Sequence, residues 1–71
     1  MTSTLKINGS EKHFSEDQMP KTLLELLNQM GINKATVVAE IDEKIIERKD
    51  FAHTKILPSQ SIELVRFVGG G

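Results

Sequence analysis

The alternation of apolar and polar positions predicts a β-hairpin at the start of the chain. Residues 4–7 alternate as in a half-buried strand, with Leu5 and Ile7 on one face. Asn8-Gly9 follows, and both residues tolerate the positive φ of a tight hairpin turn. Residues 11–14 can return as the second strand, so we assign residues 4–14 to one hairpin.

The next apolar pattern predicts a single amphipathic helix at about residues 22–30. Thr22 and Glu25 fit a capping box, in which each side chain accepts a hydrogen bond from the backbone amide of the other residue. Gly31 is the expected left-handed residue beyond the helix end. Four apolar side chains share one face of this helix, at positions i, i+3, i+4 and i+7: Leu23, Leu26, Leu27 and Met30.

The second half of the chain predicts three further strands, at residues 36–41, 44–46 and 62–68. Asp42-Glu43 is the expected turn between the first two of them. Residues 48–57 have an irregular pattern, with one helical turn expected near residues 49–51. Residues 58–61 (Pro-Ser-Gln-Ser) have turn composition and precede the last strand.

The order hairpin, helix, hairpin and strand indicates an α+β fold. The ubiquitin-like β-grasp fits it, with a mixed sheet of about five strands and one main helix packed across one face. In that arrangement the first and last strands are parallel neighbours at the centre of the sheet. We assign residues 1–68 to this domain and residues 69–71 to a flexible glycine tail.

Length and composition exclude several classes of function. A chain of 71 residues supports one modest core and no deep catalytic pocket of roughly 300 Å³ or more, which argues against an enzyme. Without cysteine, disulfides and thiolate metal sites are excluded, and the spacing of His13 and His53 is not that of metal ligands. With neither a signal peptide nor a membrane span in the sequence, we expect a cytoplasmic protein.

The net charge of the chain limits the classes of partner that it can attract. A net charge of −1 and a low aromatic content give no basis for binding nucleic acid or a membrane surface. We expect no bound cofactor or metal, and a monomer when the protein is free.

Three glycines, Gly69, Gly70 and Gly71, follow the last apolar strand directly. Glycine lacks a β-carbon, so such a tail can extend into a narrow channel of another protein and present the Gly71 carboxylate there. A carboxylate needs activation, usually by ATP, before sulfur or nitrogen can attack it. Terminal glycines alone are equally consistent with a frayed end or a cloning remnant, but their position after an apolar strand favours a function.

The residues before the tail are candidates for partner docking. Strand alternation turns Ile62 and Leu64 toward the helix and leaves the side chains between them on the other face. We therefore predict a docking patch made of Val65, Arg66, Phe67 and Val68. The alternatives are that Phe67 folds back onto the core edge and that Arg66 is simply a solvated charge.

Several segments together resemble the ThiS sulfur carriers of thiamine biosynthesis. The last segment is the most specific, and the resemblance covers nearly the whole chain. The segments that carry it are residues 5–9, 23–27, 37–42, Ile46, Arg48 and 62–71. The chain departs from the family pattern at two turns, with Asp42-Glu43 in place of Asn-Gly and residues 58–61 in place of Gly-Asp.

The resemblance implies a mechanism in which partners supply the catalysis. A ThiF-type enzyme would adenylate Gly71 with ATP and magnesium, and a cysteine desulfurase or related donor would supply sulfur to form a thiocarboxylate. Thiazole synthase (ThiG) would then receive the sulfur. The alternatives are a carrier of the molybdopterin-synthase small-subunit type, a protein-conjugating modifier, or a ubiquitin-like binding module without tail chemistry. For Arg48 we expect a structural hydrogen-bonding role.

Overall fold

The N-terminal hairpin forms as predicted, with longer strands. The computed structural model describes residues 2–67. Strand β1 (Thr2–Ile7) pairs antiparallel with β2 (Ser10–Ser15). Asn8 and Gly9 have φ of 51° and 84°, the two positive values that a two-residue hairpin turn with the twist of its strands requires.

Helix α1 (Leu23–Gln29) is held at both ends by local hydrogen bonds. The Thr22 hydroxyl accepts from the Glu25 amide at 3.2 Å, as predicted. At the other end Gly31, with φ of 70°, donates to the carbonyl of Asn28, and Ile32 donates to that of Leu27. This pair of bonds is the Schellman motif, which satisfies carbonyls that the helix end leaves unpaired.

One half of the predicted capping box is wrong. The Glu25 carboxylate accepts from the amide of Lys21 at 3.2 Å, and not from the amide of Thr22. Thr22 is extended and forms an antiparallel bridge with Lys55. The chain therefore enters the helix from a strand-like segment, which presents the amide one residue earlier to the carboxylate.

The second hairpin also forms as predicted. Strand β3 (Val37–Ile41) pairs antiparallel with β4 (Lys44–Ile46). Asp42 and Glu43 have φ of 49° and 72°, so the turn has the same two-residue form as Asn8-Gly9 despite carrying no glycine. The Asp42 carboxylate accepts from the Ser61 amide at 3.0 Å, and this bond helps to hold the strained turn against the last strand.

Strand β5 (Ser61–Arg66) begins one residue earlier than predicted and ends before Phe67. The predicted strand end at Val68 lies outside the described residues. A turn with Ser59 at φ of 69° precedes β5, and the predicted helical turn is present at Arg48–Asp50. Two further single turns of 3-10 helix occur at Glu16–Gln18 and Lys34–Thr36.

The five strands form one mixed sheet in the order β2-β1-β5-β3-β4. The first and last strands along the chain, β1 and β5, are neighbours inside the sheet. They run parallel, with Lys6 opposite Ser61 and Ile7 opposite Ile62. The predicted β-grasp is thus confirmed. One face of the sheet and α1 enclose the core: Leu5, Ile7, Phe14, Leu23, Leu26, Leu27, Val37, Ala39, Ile41, Phe51, Ile56, Ile62 and Leu64.

Asn8 does more than form a turn. Its side-chain amide donates to the Leu64 carbonyl at 3.2 Å, and its side-chain oxygen accepts from the Leu64 amide at 2.7 Å. Its backbone amide also donates to Ile62 at 2.8 Å. The carboxamide therefore replaces the peptide group that β1 would have supplied had it continued beside β5. It satisfies backbone groups that would otherwise lose their partners.

We expect Asn8→Ala to lower the free energy of unfolding by about 2–4 kcal/mol, through two lost hydrogen bonds and an alanine at positive φ. Urea denaturation would measure the loss. Asn8→Gly removes the bonds without the φ penalty, and Asn8→Asp keeps only the acceptor. The free energies of unfolding of both variants should lie between those of the wild type and Asn8→Ala. A glycine variant as stable as the wild type would show that the hydrogen bonds to Leu64 do not contribute to stability.

Candidate functional site

The side chains of β5 and of Phe67 alternate between the core and the protein surface. Ile62 and Leu64 are buried against the core, whereas Val65 is 56% exposed and Phe67 is 43% exposed. The predicted alternation is therefore confirmed. Arg66 is also exposed. Val65 and Phe67 thus lie on the same face, whereas the pleat turns Arg66 toward the opposite face. The docking itself stays a prediction.

The backbone remains anchored one residue beyond β5. The Phe67 amide donates to the Thr36 carbonyl at 3.1 Å, so that the ladder between β3 and β5 extends past Arg66. Val68, Gly69, Gly70 and Gly71, which complete the predicted docking patch and tail, lie outside the described residues. Phe67, the last described residue, is therefore held by a hydrogen bond to the turn that precedes β3.

Arg48 helps to hold the turn whose carbonyl accepts the hydrogen bond from Phe67. Its guanidinium donates to the carbonyls of Lys34 and Ala35, each at 3.2 Å. These two residues belong to the single helical turn that ends at Thr36, the residue that accepts from Phe67. The expected hydrogen-bonding role of Arg48 is confirmed. Which carbonyls Arg48 binds cannot be deduced from local sequence patterns, because they lie in a single 3-10 turn at Lys34–Thr36, 13 and 14 positions earlier in the chain.

Two exposed apolar side chains extend this surface beyond the predicted patch. Val38 lies opposite Val65 across the β3–β5 ladder, and Ile45, 69% exposed, lies on the neighbouring edge strand β4. The alternation in β3 already places Val38 on the face away from Val37. Which strand lies beside β3 could not be deduced from that alternation, and only the pairing with β5 brings the two valines together.

Residues 2–67 contain neither a cluster of metal ligands nor a membrane-spanning helix. Within residues 2–67, no cluster of three or more histidine, cysteine or carboxylate side chains is placed to hold a metal ion. His13 pairs through Nδ1 with the Thr4 hydroxyl at 2.9 Å, across the first hairpin. In the same part of the chain, no helix has the length and apolar character needed to cross a bilayer.

Comparison with known proteins decides the family. The family model of ThiS matches residues 5–71. The chain belongs to the ThiS family. The match covers nearly the whole chain and includes all three glycines of the tail.

Two relatives of this ThiS-family chain are similar over almost all of its length. Thiazole synthase from Paramagnetospirillum magneticum is 31% identical over 67 residues, which make up 94% of this chain and 20% of that protein. This chain thus spans about a fifth of that relative. The ycf40 protein of Porphyra purpurea is 31% identical over 68 residues, covering 96% of this chain and 92% of the relative.

Solved structures agree with the family. The crystal structure of the thiamine biosynthesis protein ThiS from Geobacter metallireducens matches with a TM-score of 0.78 and 26% identity, over 96% of this chain and 99% of that one. The solution structure from the same organism matches with a TM-score of 0.75. The family match and these structures support a small sulfur carrier protein in thiamine biosynthesis.

We expect Phe67→Ala to weaken binding to a ThiF-type enzyme by about 1–3 kcal/mol, the cost of removing an aromatic anchor from an interface. Because Phe67 is nearly half exposed, the free energy of unfolding should fall by only about 1 kcal/mol. Titration calorimetry and thermal unfolding would measure the two effects.

Leu57→Ala is the matched control. Leu57 is another exposed large side chain, but it lies before β5 rather than after it, so its removal should leave the affinity unchanged. A Phe67 variant that loses much thermal stability and binds as tightly as the wild type would show that Phe67 serves the core edge instead.

Proposed function

We propose that this protein carries sulfur on the C-terminal carboxylate of Gly71 for the synthesis of the thiazole ring of thiamine. The observation that carries the proposal is the match to the ThiS family through residue 71, which includes Gly69, Gly70 and Gly71. A tail of glycines suits this role, because the absence of β-carbons lets the chain pass through a narrow channel to a partner's active site.

In the proposed cycle, a ThiF-type enzyme transfers the AMP portion of ATP to the Gly71 carboxylate and releases pyrophosphate. The outer sulfur of a cysteine persulfide, supplied by a cysteine desulfurase or related donor, then attacks the acyl adenylate and displaces AMP. A second thiol reduces the resulting acyl disulfide, which releases the thiocarboxylate and leaves that thiol joined to the donor cysteine in a disulfide. Thiazole synthase takes the sulfur, and the carrier returns as the carboxylate. ATP and magnesium are bound by the adenylating enzyme, so this chain needs no cofactor of its own.

The body of the protein contributes a rigid base for the tail. Strand β5 lies between β1 and β3, and the amide of Phe67 is still hydrogen bonded to the neighbouring turn. The backbone of Phe67 is therefore fixed relative to the exposed side chain of Val65. A partner that docks on this surface receives the glycine tail at a defined distance and direction, which is how positioning lowers a reaction barrier.

The relative from Paramagnetospirillum magneticum supports thiazole synthase as the acceptor. That protein is named thiazole synthase, and a fifth of its length is similar to nearly the whole of this chain. A carrier-like segment joined to a synthase is the arrangement expected when a carrier delivers its sulfur to that synthase. The matched ThiS structures, named for thiamine biosynthesis, favour this acceptor over molybdopterin synthase.

The decisive measurement is the intact mass of the protein after incubation with a ThiF-type enzyme, ATP, magnesium and a sulfur donor. We expect a mass change that corresponds to replacement of one oxygen by sulfur at Gly71. Removing Gly71 should abolish the change and stop thiamine synthesis in cells that depend on this carrier.

Two controls separate tail chemistry from folding. Omission of ATP should leave the mass unchanged, since the carboxylate cannot then be activated. The variant without Gly71 should unfold at the same temperature as the wild type. An unchanged mass in the complete reaction, together with normal thiamine synthesis without Gly71, would exclude the carrier role.

A further inference from the structure

The turn between β1 and β2 carries a dipeptide whose two residues can react with each other. Asn8 and Gly9 are both exposed, and a β-carbon added to Gly9 would meet no atom within 4 Å, so water reaches the turn. Asparagine is one of the thermolabile residues of proteins. A following glycine makes its breakdown fastest, because no β-carbon shields the glycine nitrogen. The turn therefore has the composition of a site for spontaneous deamidation.

Deamidation begins when the backbone nitrogen of Gly9 attacks the side-chain carbonyl carbon of Asn8. A carbon–nitrogen bond forms, the bond to the side-chain amino group breaks, and ammonia leaves with the proton of the Gly9 amide. Water then opens the resulting succinimide ring at one of its two carbonyls. One opening gives aspartate at position 8, and the other gives isoaspartate, in which the main chain runs through the former side chain. Water is the only co-reactant.

The native turn keeps the two reacting atoms apart. Asn8 has φ of 51° and begins a two-residue hairpin turn. In the left-handed conformation, the nitrogen of the next residue lies nearly opposite the β-carbon about the Cα–C bond. The side-chain carbonyl carbon of Asn8 therefore cannot reach the Gly9 nitrogen, and the ring can close only after the turn has opened.

Hydrogen bonds to β5 add to this protection. The carboxamide of Asn8 donates to the Leu64 carbonyl at 3.2 Å and accepts from the Leu64 amide at 2.7 Å. The backbone amide of Asn8 donates to the Ile62 carbonyl at 2.8 Å. The side chain must leave β5 before it can turn toward Gly9, so these bonds break first. The rate of deamidation should therefore follow the fraction of molecules in which the turn has opened.

We propose that Asn8 is a deamidation site that the native fold protects, and that its modification permanently weakens the connection between the first hairpin and β5. Aspartate has no N–H group to donate, so the Leu64 carbonyl loses its side-chain partner. Isoaspartate adds a methylene group to the main chain, which no longer fits a two-residue hairpin turn. A molecule that stays open long enough to react cannot regain its native stability. The inference is independent of the proposed carrier function.

The damage falls on the central strand of the sheet. Strand β5 lies between β1 and β3, and Leu64 pairs with Ala39 on its other side. Loss of the Asn8 bonds leaves this part of β5 held mainly by β3. The side chains of Ile62 and Leu64 are buried, so a deamidated molecule that opens more often exposes apolar side chains and becomes a better substrate for proteases.

The test follows deamidation of the full chain in mildly alkaline buffer, with and without guanidinium chloride, by mass spectrometry of tryptic peptides. Cleavage after lysine yields residues 7–12, which contain Asn8, and residues 22–34, which contain Asn28 and Asn33 as internal controls not followed by glycine. We expect Asn8 to react at least about 10-fold more slowly in the native protein than in guanidinium chloride, the effect of its hydrogen bonds. In guanidinium chloride, Asn8 should react much faster than either control.

Two variants separate the chemistry from the protection. Gly9→Ala should slow the reaction of Asn8 in guanidinium chloride, where its effect on folding does not matter. Ile62→Val shortens a buried side chain of β5 and leaves the carboxamide bonds of Asn8 in place. It should raise the native rate about 2- to 10-fold, the usual destabilisation by this substitution, and leave the rate in guanidinium chloride unchanged. An unchanged native rate would show that release from β5 does not control the reaction.

Thermal unfolding measures the damage. The deamidated protein carries one more negative charge and can be separated by ion exchange, and the variant Asn8→Asp is the aspartate product in pure form. Both products should unfold at lower temperature than the wild type, the isoaspartate form lowest. Asn33→Asp is the matched control. It adds the same charge but keeps the acceptor for the Ala35 amide, now at 2.8 Å, so its unfolding temperature should match the wild type.

Three further results would overturn the proposal. Equal rates in the native and unfolded chain would show that the fold does not protect Asn8. A rate in guanidinium chloride no higher than that of Asn28 and Asn33 would show that the position is not reactive. Deamidated protein that unfolds at the wild-type temperature would show that the modification does not weaken the connection to β5. The carrier function would stand in each case, since none of these results concerns Gly71.

Discussion

The parallel pairing of β1 with β5 is the constraint on which the other elements depend. It joins segments that are some 55 positions apart, with Lys6 opposite Ser61 and Ile7 opposite Ile62. Closing so long a loop costs conformational entropy before any contact compensates for it. The compensation comes from the buried face of these strands, where Leu5, Ile7 and Ile62 pack against the helix, and from the carboxamide of Asn8, which extends the pairing to Leu64.

This central pairing also suits the proposed carrier role, in which partner enzymes supply the catalysis. Strand β5 has neighbours on both sides, so its register is fixed and the residues after it start from a defined point. Hydrogen bonds continue this order to Phe67 through Thr36, whose turn is held by Arg48. The interior of the molecule is used for stability, and the surface beside the tail remains available to partners. Such a division suits a protein whose chemistry is supplied by other enzymes.

The two tight turns show how positive φ values can be sustained in different ways. Asn8-Gly9 uses residues that tolerate the left-handed region. Asp42-Glu43 does not have glycine, and its geometry is supported by hydrogen bonds in both directions between Asp42 and Ser61. Both turns contact the central strand β5 or its first residue. Each hairpin is therefore tied to the centre of the sheet as well as closed locally.

The sequence by itself determined the elements, because local patterns carry that information. The polar and apolar alternation defined both hairpins, and the spacing of Leu23, Leu26 and Leu27 defined the helix. The order of elements also sufficed for the β-grasp, and the resemblance of the final segment indicated the family. These conclusions depend on neighbours within a few residues, or on one long match, and need no knowledge of which strands touch.

Only the tertiary structure decided which residues from distant parts of the chain face each other. Asn8 was interpreted as a turn former, and its hydrogen bonds to Leu64 depend on a strand far along the chain. The Glu25 carboxylate accepts from the Lys21 amide, because the bridge between Thr22 and Lys55 determines how the chain enters the helix. The facing pairs Val38–Val65 and Glu40–Glu63 exist only because β3 adopts one register against β5. Strand alternation assigns each side chain to a face, but the register of distant strands assigns its neighbour, and no local pattern contains that register.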